Sequence, residues 1–276
     1  MTSHVIAVAR QEFRIAARNR WVLLAVLILL VFALVLGLLG SAPSGSLGVG
    51  RLAITVASLA TLSVYLVPLL ALLLGFDAIA GEFERGTLPL VLATPIARGS
   101  VLLGKFLGHL TIIALAIVIG FGIAGAAVMV LSGEGASGLI PLARLIASSV
   151  ALGAVFLAVS YVVSAGTTQV GTSAAVAVAV WLAAVVLYDL GLLGALVLDT
   201  GGGFAQGAFP WMLLASPADA FRLFNLAALD VGNTATGLAG AAEGLPFPPA
   251  LCVASLALWL VLAFLAALRA LYRLEP

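Results

Sequence analysis

Residues 145–188 read LIASSVALGAVFLAVSYVVSAGTTQVGTSAAVAVAVWLAAVVLY, 44 residues between Arg144 and Asp189 without one charge. As a single α-helix this run would measure about 66 Å at ~1.5 Å per residue. A bilayer's hydrocarbon core takes about 20 residues. The run must therefore cross twice, and the polar break GTTQVGTS (166–173) predicts the turn. That reading sets the parity of the whole chain. Outward from it, Trp21–Leu39 is a first apolar run, followed by the linker GSAPSGSLGVG and Arg51. Leu52–Phe76 is a second, and Phe106–Leu131 a third, closed by the loop SGEGASG. The pair within 145–188 makes the fourth and fifth, and Ala250–Leu268 the sixth. The expected fold class is an all-α integral membrane protein with six transmembrane helices.

Composition agrees. The chain is 64% hydrophobic and 8% charged, whereas soluble chains are nearer half apolar and a quarter charged. A net charge of +1 offers no basic field for nucleic acid. One cysteine, Cys252, excludes an internal disulfide and any multi-cysteine metal site. The first twenty residues are a charged run, not a short basic stub, and the apolar run after them lacks a small-residue cleavage pattern, so no cleavable signal peptide is expected.

Six spans place both termini on one side. Arg10, Arg14, Arg18 and Arg20 precede the first span, Arg85, Arg98 and Lys105 lie between the second and third, and Arg269 and Arg273 follow the sixth. These are nine of the twelve basic residues. The excess of positive charge makes that side cytoplasmic in a bacterial inner membrane. In residues 1–20, Val5, Ala9, Phe13 and Ala16 share one helical face and Arg10, Arg14 and Arg18 another. This is the pattern of an interfacial (elbow) helix, or of a short cytosolic helix with a solvated arginine face. Residues 21–276 then form the six-span domain, with a cytosolic segment at 77–105 and a periplasmic segment at 190–249.

Several motifs imitate chemistry. GSVLLGKF (99–106) follows the spacing of a phosphate-binding loop but has Phe106 where a hydroxyl must hold Mg²⁺. LSGEG (131–135) lies on the outer side, away from ATP. His4, His109, Cys252, Met129 and Met212 stand singly, with no ligand spacing. No catalytic constellation and no metal site is read, so any ATP would be bound by another subunit. Asp189 is expected to emerge at the outer interface beside Tyr188, as part of an aromatic belt.

The outer segment carries a helix start. Ser216 is an N-cap, Pro217 the first helical residue, and Asp219 stands three after the cap. Phe221, Phe224, Ala228 and Leu229 offer an apolar stripe, with Gly232 and Asn233 as the stop. Ser216, Asp219, Phe221, Arg222 and Phe224 are the candidate contacts for an outer partner. A helix resting on the lipid surface is the other reading.

The remaining feature is GEFERGTLPLVLATPIARGSVLLGK (81–105), where Glu82, Glu84, Arg85, Arg98 and Lys105 interrupt an otherwise apolar chain. Arg85-Gly86 and Pro95 punctuate it. Charges with an apolar ridge suit a docking surface better than a plain solvated loop. The pattern Glu82-x-Glu84-x-Gly86-Thr87-Leu88, with Pro95, Arg98 and Gly104-Lys105, resembles the cytosolic coupling segment of ABC-2 type transporter permeases. ARNRW (17–21), DAIAGEFERGTL (77–88), LGKFLGH (103–109) and SPADAFRL (216–223) together are similar to permeases that serve nitrous oxide reductase maturation, over essentially the whole chain.

The resemblance implies a type V exporter-like fold and a homodimer. It implies a cytosolic ABC ATPase dimer docked on Glu82, Glu84, Arg85, Gly86, Thr87, Leu88, Pro95, Arg98 and Lys105, holding ATP and Mg itself. It also implies a periplasmic partner on the outer surface that handles copper or sulfur. The scarcity of Cys, His and Met argues for a mechanical role and against metal passage through this chain. Two other readings stay open: a general exporter of lipid, drug or polysaccharide, and a membrane anchor without an ATPase.

Overall fold

The break at 166–173 is a tight reversal. In the computed structural model, α6 (Leu139–Ala165) stops at Gly166, and α7 (Val170–Trp181) starts four residues later. The structure describes residues 2–39, 51–88, 96–132, 139–200, 202–227 and 246–274. The linker at 40–50, the loop at 133–138, Pro95, and the residues from Ala228 to Asn233 lie outside the described residues.

Before α6 come α1 (Thr2–Arg18), α2 (Arg20–Leu39), α3 (Arg51–Gly75), the short α4 (Ala80–Glu84) and α5 (Arg98–Ser132). After α7 the chain continues through a π-helical turn (Leu182–Leu187) into α8 (Tyr188–Leu198). Then follow α9 (Gly203–Gln206), α10 (Phe209–Ala215), α11 (Pro217–Leu226) and α12 (Ala250–Arg273). Among the described residues five helices are long and apolar enough to cross a membrane, and the bent pair His4–Arg18 and Val22–Gly37 raises the number to six. The chain is a multi-pass membrane protein.

Lengths differ from expectation at three places. The third span begins at Arg98, not Phe106, so the last eight residues of the expected loop 77–105 are the first turns of α5. The fifth span runs on to Leu198, which removes nine residues from the expected outer segment. Helix α11 ends at Leu226, well before Gly232.

The core explains the arrangement. Helix α6 is central: Leu145, Leu152, Val155, Phe156, Leu157 and Tyr161 are buried in one apolar cluster with residues of α3, α5 and α12. Helix α1 turns about 75° from α2 and lies along α5. Asn19 makes the break, its carbonyl accepting from the Leu23 N–H and its own N–H bonding back to Ala16 O. The predicted face of α1, Val5, Ala9, Phe13 and Ala16, turns toward the protein, while Arg10, Arg14 and Arg18 are exposed. A second apolar cluster (Leu192, Phe209, Leu213, Leu223, Phe247 and Cys252) lies at the opposite end, under α10 and α11.

Candidate functional site

Helix α4 is too short to be stable alone, and its neighbours supply what it lacks. The N–H groups of Ile79 and Ala80 both donate to Ser164 Oγ of α6, at 2.9 and 3.0 Å. Ser173 Oγ of α7 donates to Phe76 O at 2.6 Å. Glu84 Oε2 accepts from the Val170 N–H at 2.6 Å, capping α7, whose own N-cap residue, Gln169, makes no side-chain bond to the helix N–H groups. The end of α4 is a Schellman stop. Thr87 N–H bonds to Glu82 O and Gly86 N–H to Phe83 O, with Gly86 at φ +66°. Only glycine takes that conformation without strain. Phe83, Glu84, Arg85, Gly86 and Thr87 are exposed and form the tip; Leu88 is buried.

Below the tip lies a buried ion cluster. Lys105 Nζ is 2.5 Å from Glu12 Oε1 of α1 and 2.7 Å from Glu82 Oε1. His109 Nδ1 is 2.7 Å from the Tyr161 hydroxyl, and its Nε2 is 3.7 Å from Glu12 Oε2. Two glycines of α5 let α1 come this close. A Cβ on Gly104 would stand 2.6 Å from Val8 Cβ, and one on Gly108 would stand 2.7 Å from Ala9 O. Gly104 and Gly108 thus form a small-xxx-small seam between helices, and the first of them belongs to the stretch that imitates a phosphate loop. Arg98, at the start of α5, donates to the terminal carbonyls of α12, Leu271 O at 3.2 Å and Leu274 O at 3.1 Å. A cation at the negative end of a helix dipole is favourable there.

These placements correct part of the predicted contact set. Lys105 is buried at 5% exposure and faces α1, so it is no surface contact. Arg98 is half-buried and engaged with α12. Glu82 is half-buried and paired with Lys105. Glu84, Arg85, Gly86 and Thr87 remain at the surface, and Pro95 lies outside the described residues.

The far-end set is corrected more sharply. The predicted cap forms, Ser216 Oγ accepting from the Asp219 N–H at 3.3 Å. Its helix then turns inward: Ser216, Asp219, Phe221 and Arg222 are buried, Phe221 completely. Phe224 is half-buried beneath the Arg144 guanidinium, 3.7 Å from its ring centre. Arg144 also donates to Phe224 O. Arg222 is held between Asp189 (2.7 Å) and Asp219 (2.8 Å). Asp189 therefore belongs to a buried triad and not to the lipid interface. Its Oδ1 and Asp219 Oδ2 are buried with no hydrogen-bond partner among the described residues. Burial pushes the Asp219 carboxyl from 3.8 up to about 7, with Arg222 opposing the shift and Asp189 adding to it.

Sequence reasoning missed Glu12, Ser164, Ser173 and Tyr161. Serines in apolar helices carry little signal by themselves. Glu12 was readable only as the one acid in a helix with three arginines. Among the described residues no three His, Cys, Asp or Glu side chains gather as a metal site.

Comparison with known proteins places this architecture. Residues 6–275 match the family model described as ABC-2 family transporter protein. The chain is 42% identical over 262 residues to the probable ABC transporter permease protein NosY of Stutzerimonas stutzeri, covering 94% of this chain and 95% of the relative. It is 40% identical over 279 aligned positions to the protein of the same name from Pseudomonas aeruginosa, covering 99% and 98%. The chain belongs to the ABC-2 family and is a permease subunit of an ABC transporter.

Proposed function

We propose that this chain couples ATP hydrolysis by a partner to the periplasmic handling of copper or sulfur for nitrous oxide reductase cluster assembly. The similarity to two NosY permeases supports the reading. Nine of twelve basic residues belong to the end that carries α1, α4 and the close of α12. By the positive-inside rule that end is cytoplasmic, with both termini. A NosF-like ATPase dimer, holding ATP and Mg, docks on the tip of α4 in each protomer of a homodimer. A NosD-like protein stands at the α9–α11 end, where Leu198 and Trp211 are exposed.

The observation that carries this is the double latch of α4. A push on the tip reaches α6 and α7 through Ser164, Ser173 and Val170. It reaches α5 and α1 through Glu82, Lys105 and Glu12. The chain supplies no catalytic group in this mechanism; it moves. Two histidines, one cysteine and three methionines in 276 residues suit a mechanical part better than a copper conduit.

The test is charge reversal at the exposed tip, Glu84→Lys with Arg85→Glu. It lowers co-purification of the ATPase and the copper content of the matured reductase, while the chain still inserts in the membrane. Unchanged recovery and unchanged copper would leave the anchor reading. ATPase stimulation by a lipid, drug or polysaccharide, without any effect on the reductase, would favour a general exporter.

A further inference from the structure

The outward face of α1 carries charge that nothing else in the fold uses. Arg10, Arg14 and Arg18 recur at every fourth residue, in one exposed row. Neighbours in such a row stand about 6 Å apart. None of the three makes an ion pair among the described residues. The one acid of the helix, Glu12, turns the other way and is taken up by Lys105. The row therefore presents three guanidiniums and no carboxylate.

The elbow sets where this row stands. Helix α2 crosses the membrane, and α1, turned about 75° from it, runs close to the membrane plane. Ile15 shows which edge of α1 meets hydrocarbon. It is 56% exposed and shares a cavity wall with Leu24, Ile28 and Leu73. Those three are exposed residues of the spans α2 and α3, so that side opens to lipid. At 100° per residue, Arg18 lies about 60° and Arg14 about 100° around the helix from Ile15. An apolar edge with arginines beside it is how a helix seats itself in the interface.

We infer that Arg10, Arg14 and Arg18 form a docking surface for anionic phospholipid headgroups of the adjoining leaflet. Ile15 rests among the first methylenes, and a phosphate lies between neighbouring guanidiniums, whose forked N–H donors match its oxygens. Net charge selects the lipid. Phosphatidylcholine and phosphatidylethanolamine carry the same phosphate, but their own ammonium cancels it and is repelled by the row. Phosphatidylglycerol keeps its full negative charge. The bound lipid steadies the helix that brings Glu12 to Lys105. This rests on membrane insertion alone and not on the identity of any partner.

The test is native mass spectrometry of the full chain purified in mild detergent, titrated with phosphatidylglycerol, phosphatidylcholine or phosphatidylethanolamine. Wild type is expected to hold phosphatidylglycerol at least about tenfold more tightly than either zwitterion. Arg10→Gln, Arg14→Gln and Arg18→Gln together bring the three lipids to near parity. The row is exposed, so this variant keeps the monodisperse elution of the wild type. Lysine at the same three positions keeps a preference for phosphatidylglycerol. Arg269→Gln with Arg273→Gln removes two exposed arginines from the same end of the molecule and leaves the preference intact. No preference in the wild type, a preference that survives the triple glutamine exchange, or an equal loss in the variant at 269 and 273 would overturn the surface. Survival of the preference together with loss of ATPase co-purification would also overturn it, and would assign the row to the ATPase.

Discussion

Glu84 and Val170 are 86 residues apart in sequence, yet the Glu84 carboxylate caps the Val170 N–H at 2.6 Å. The first N–H groups of a helix lack intrahelical partners, and the helix dipole favours an anion there. The tip of α4 therefore completes the helix that runs from Val170 to Leu198. Displacing one disturbs the other.

Ser164 is the second hinge of that linkage. Ser164→Ala would leave the N–H groups of Ile79 and Ala80 without their acceptor. A loss of about 1–3 kcal/mol per orphaned group is the ceiling. The expected result is a lower melting temperature in detergent, and ATPase docking that persists without reductase maturation. Pull-down and reductase copper content read the two arms.

Lys105→Met should be more damaging than its conservative look suggests. Lys105 neutralises Glu12 and Glu82 in a site that is nearly closed to water. Removing one partner of a buried ion pair costs roughly 3–5 kcal/mol. Fluorescence-detected size exclusion should show loss of monodisperse protein. Adding Glu12→Gln to Lys105→Met should recover part of it.

Gly108→Val should lift α1 from α5. A Cβ there meets Ala9 O at 2.7 Å and Glu12 Cβ at 2.8 Å, and neither is a flexible side-chain end. Protease sensitivity near residues 10–20 should rise, together with a drop in thermal stability. Gly122→Ala, where a Cβ would meet nothing within 4 Å, is the matched control and should leave both unchanged.

The triad at the other end should respond to pH. Asp219 has a folded-state value near 7 against an ordinary 3.8. The folded state thus binds its proton more tightly than the unfolded chain. The stability from that proton is complete below about pH 4 and declines as pH rises through about 7, by up to a few kcal/mol at ~1.4 kcal/mol per unit. Melting curves at pH 5 and pH 8 should differ less in Asp219→Asn than in wild type.

The spans were legible because apolar length and charge-free runs are local properties. Arg20–Leu39 and Arg51–Gly75 match the expected runs to within a residue. Ser216 was legible for the same reason, since a cap and its Pro-x-Asp follow-up lie within four residues. Which way the charges face was not local. Lys105 finds Glu12 across 93 residues, and Arg222 finds Asp189 across 33. In a chain with so few charges, a Lys or Arg reads as surface until its distant partner is known. Arg222 reads as outward for that reason, and the fold buries it together with Phe221.

The π turn at 182–187 ends two residues before Asp189. Such a turn is what a helix makes of one surplus residue. The turn absorbs that residue locally, so the α-helix after it keeps the phase that brings Asp189 to Arg222. Were the same residues wound as plain α-helix, Asp189 would advance by about 100° and swing away from Arg222. The bond between Asp189 and Arg222 thus depends on a local widening of the helix one turn earlier.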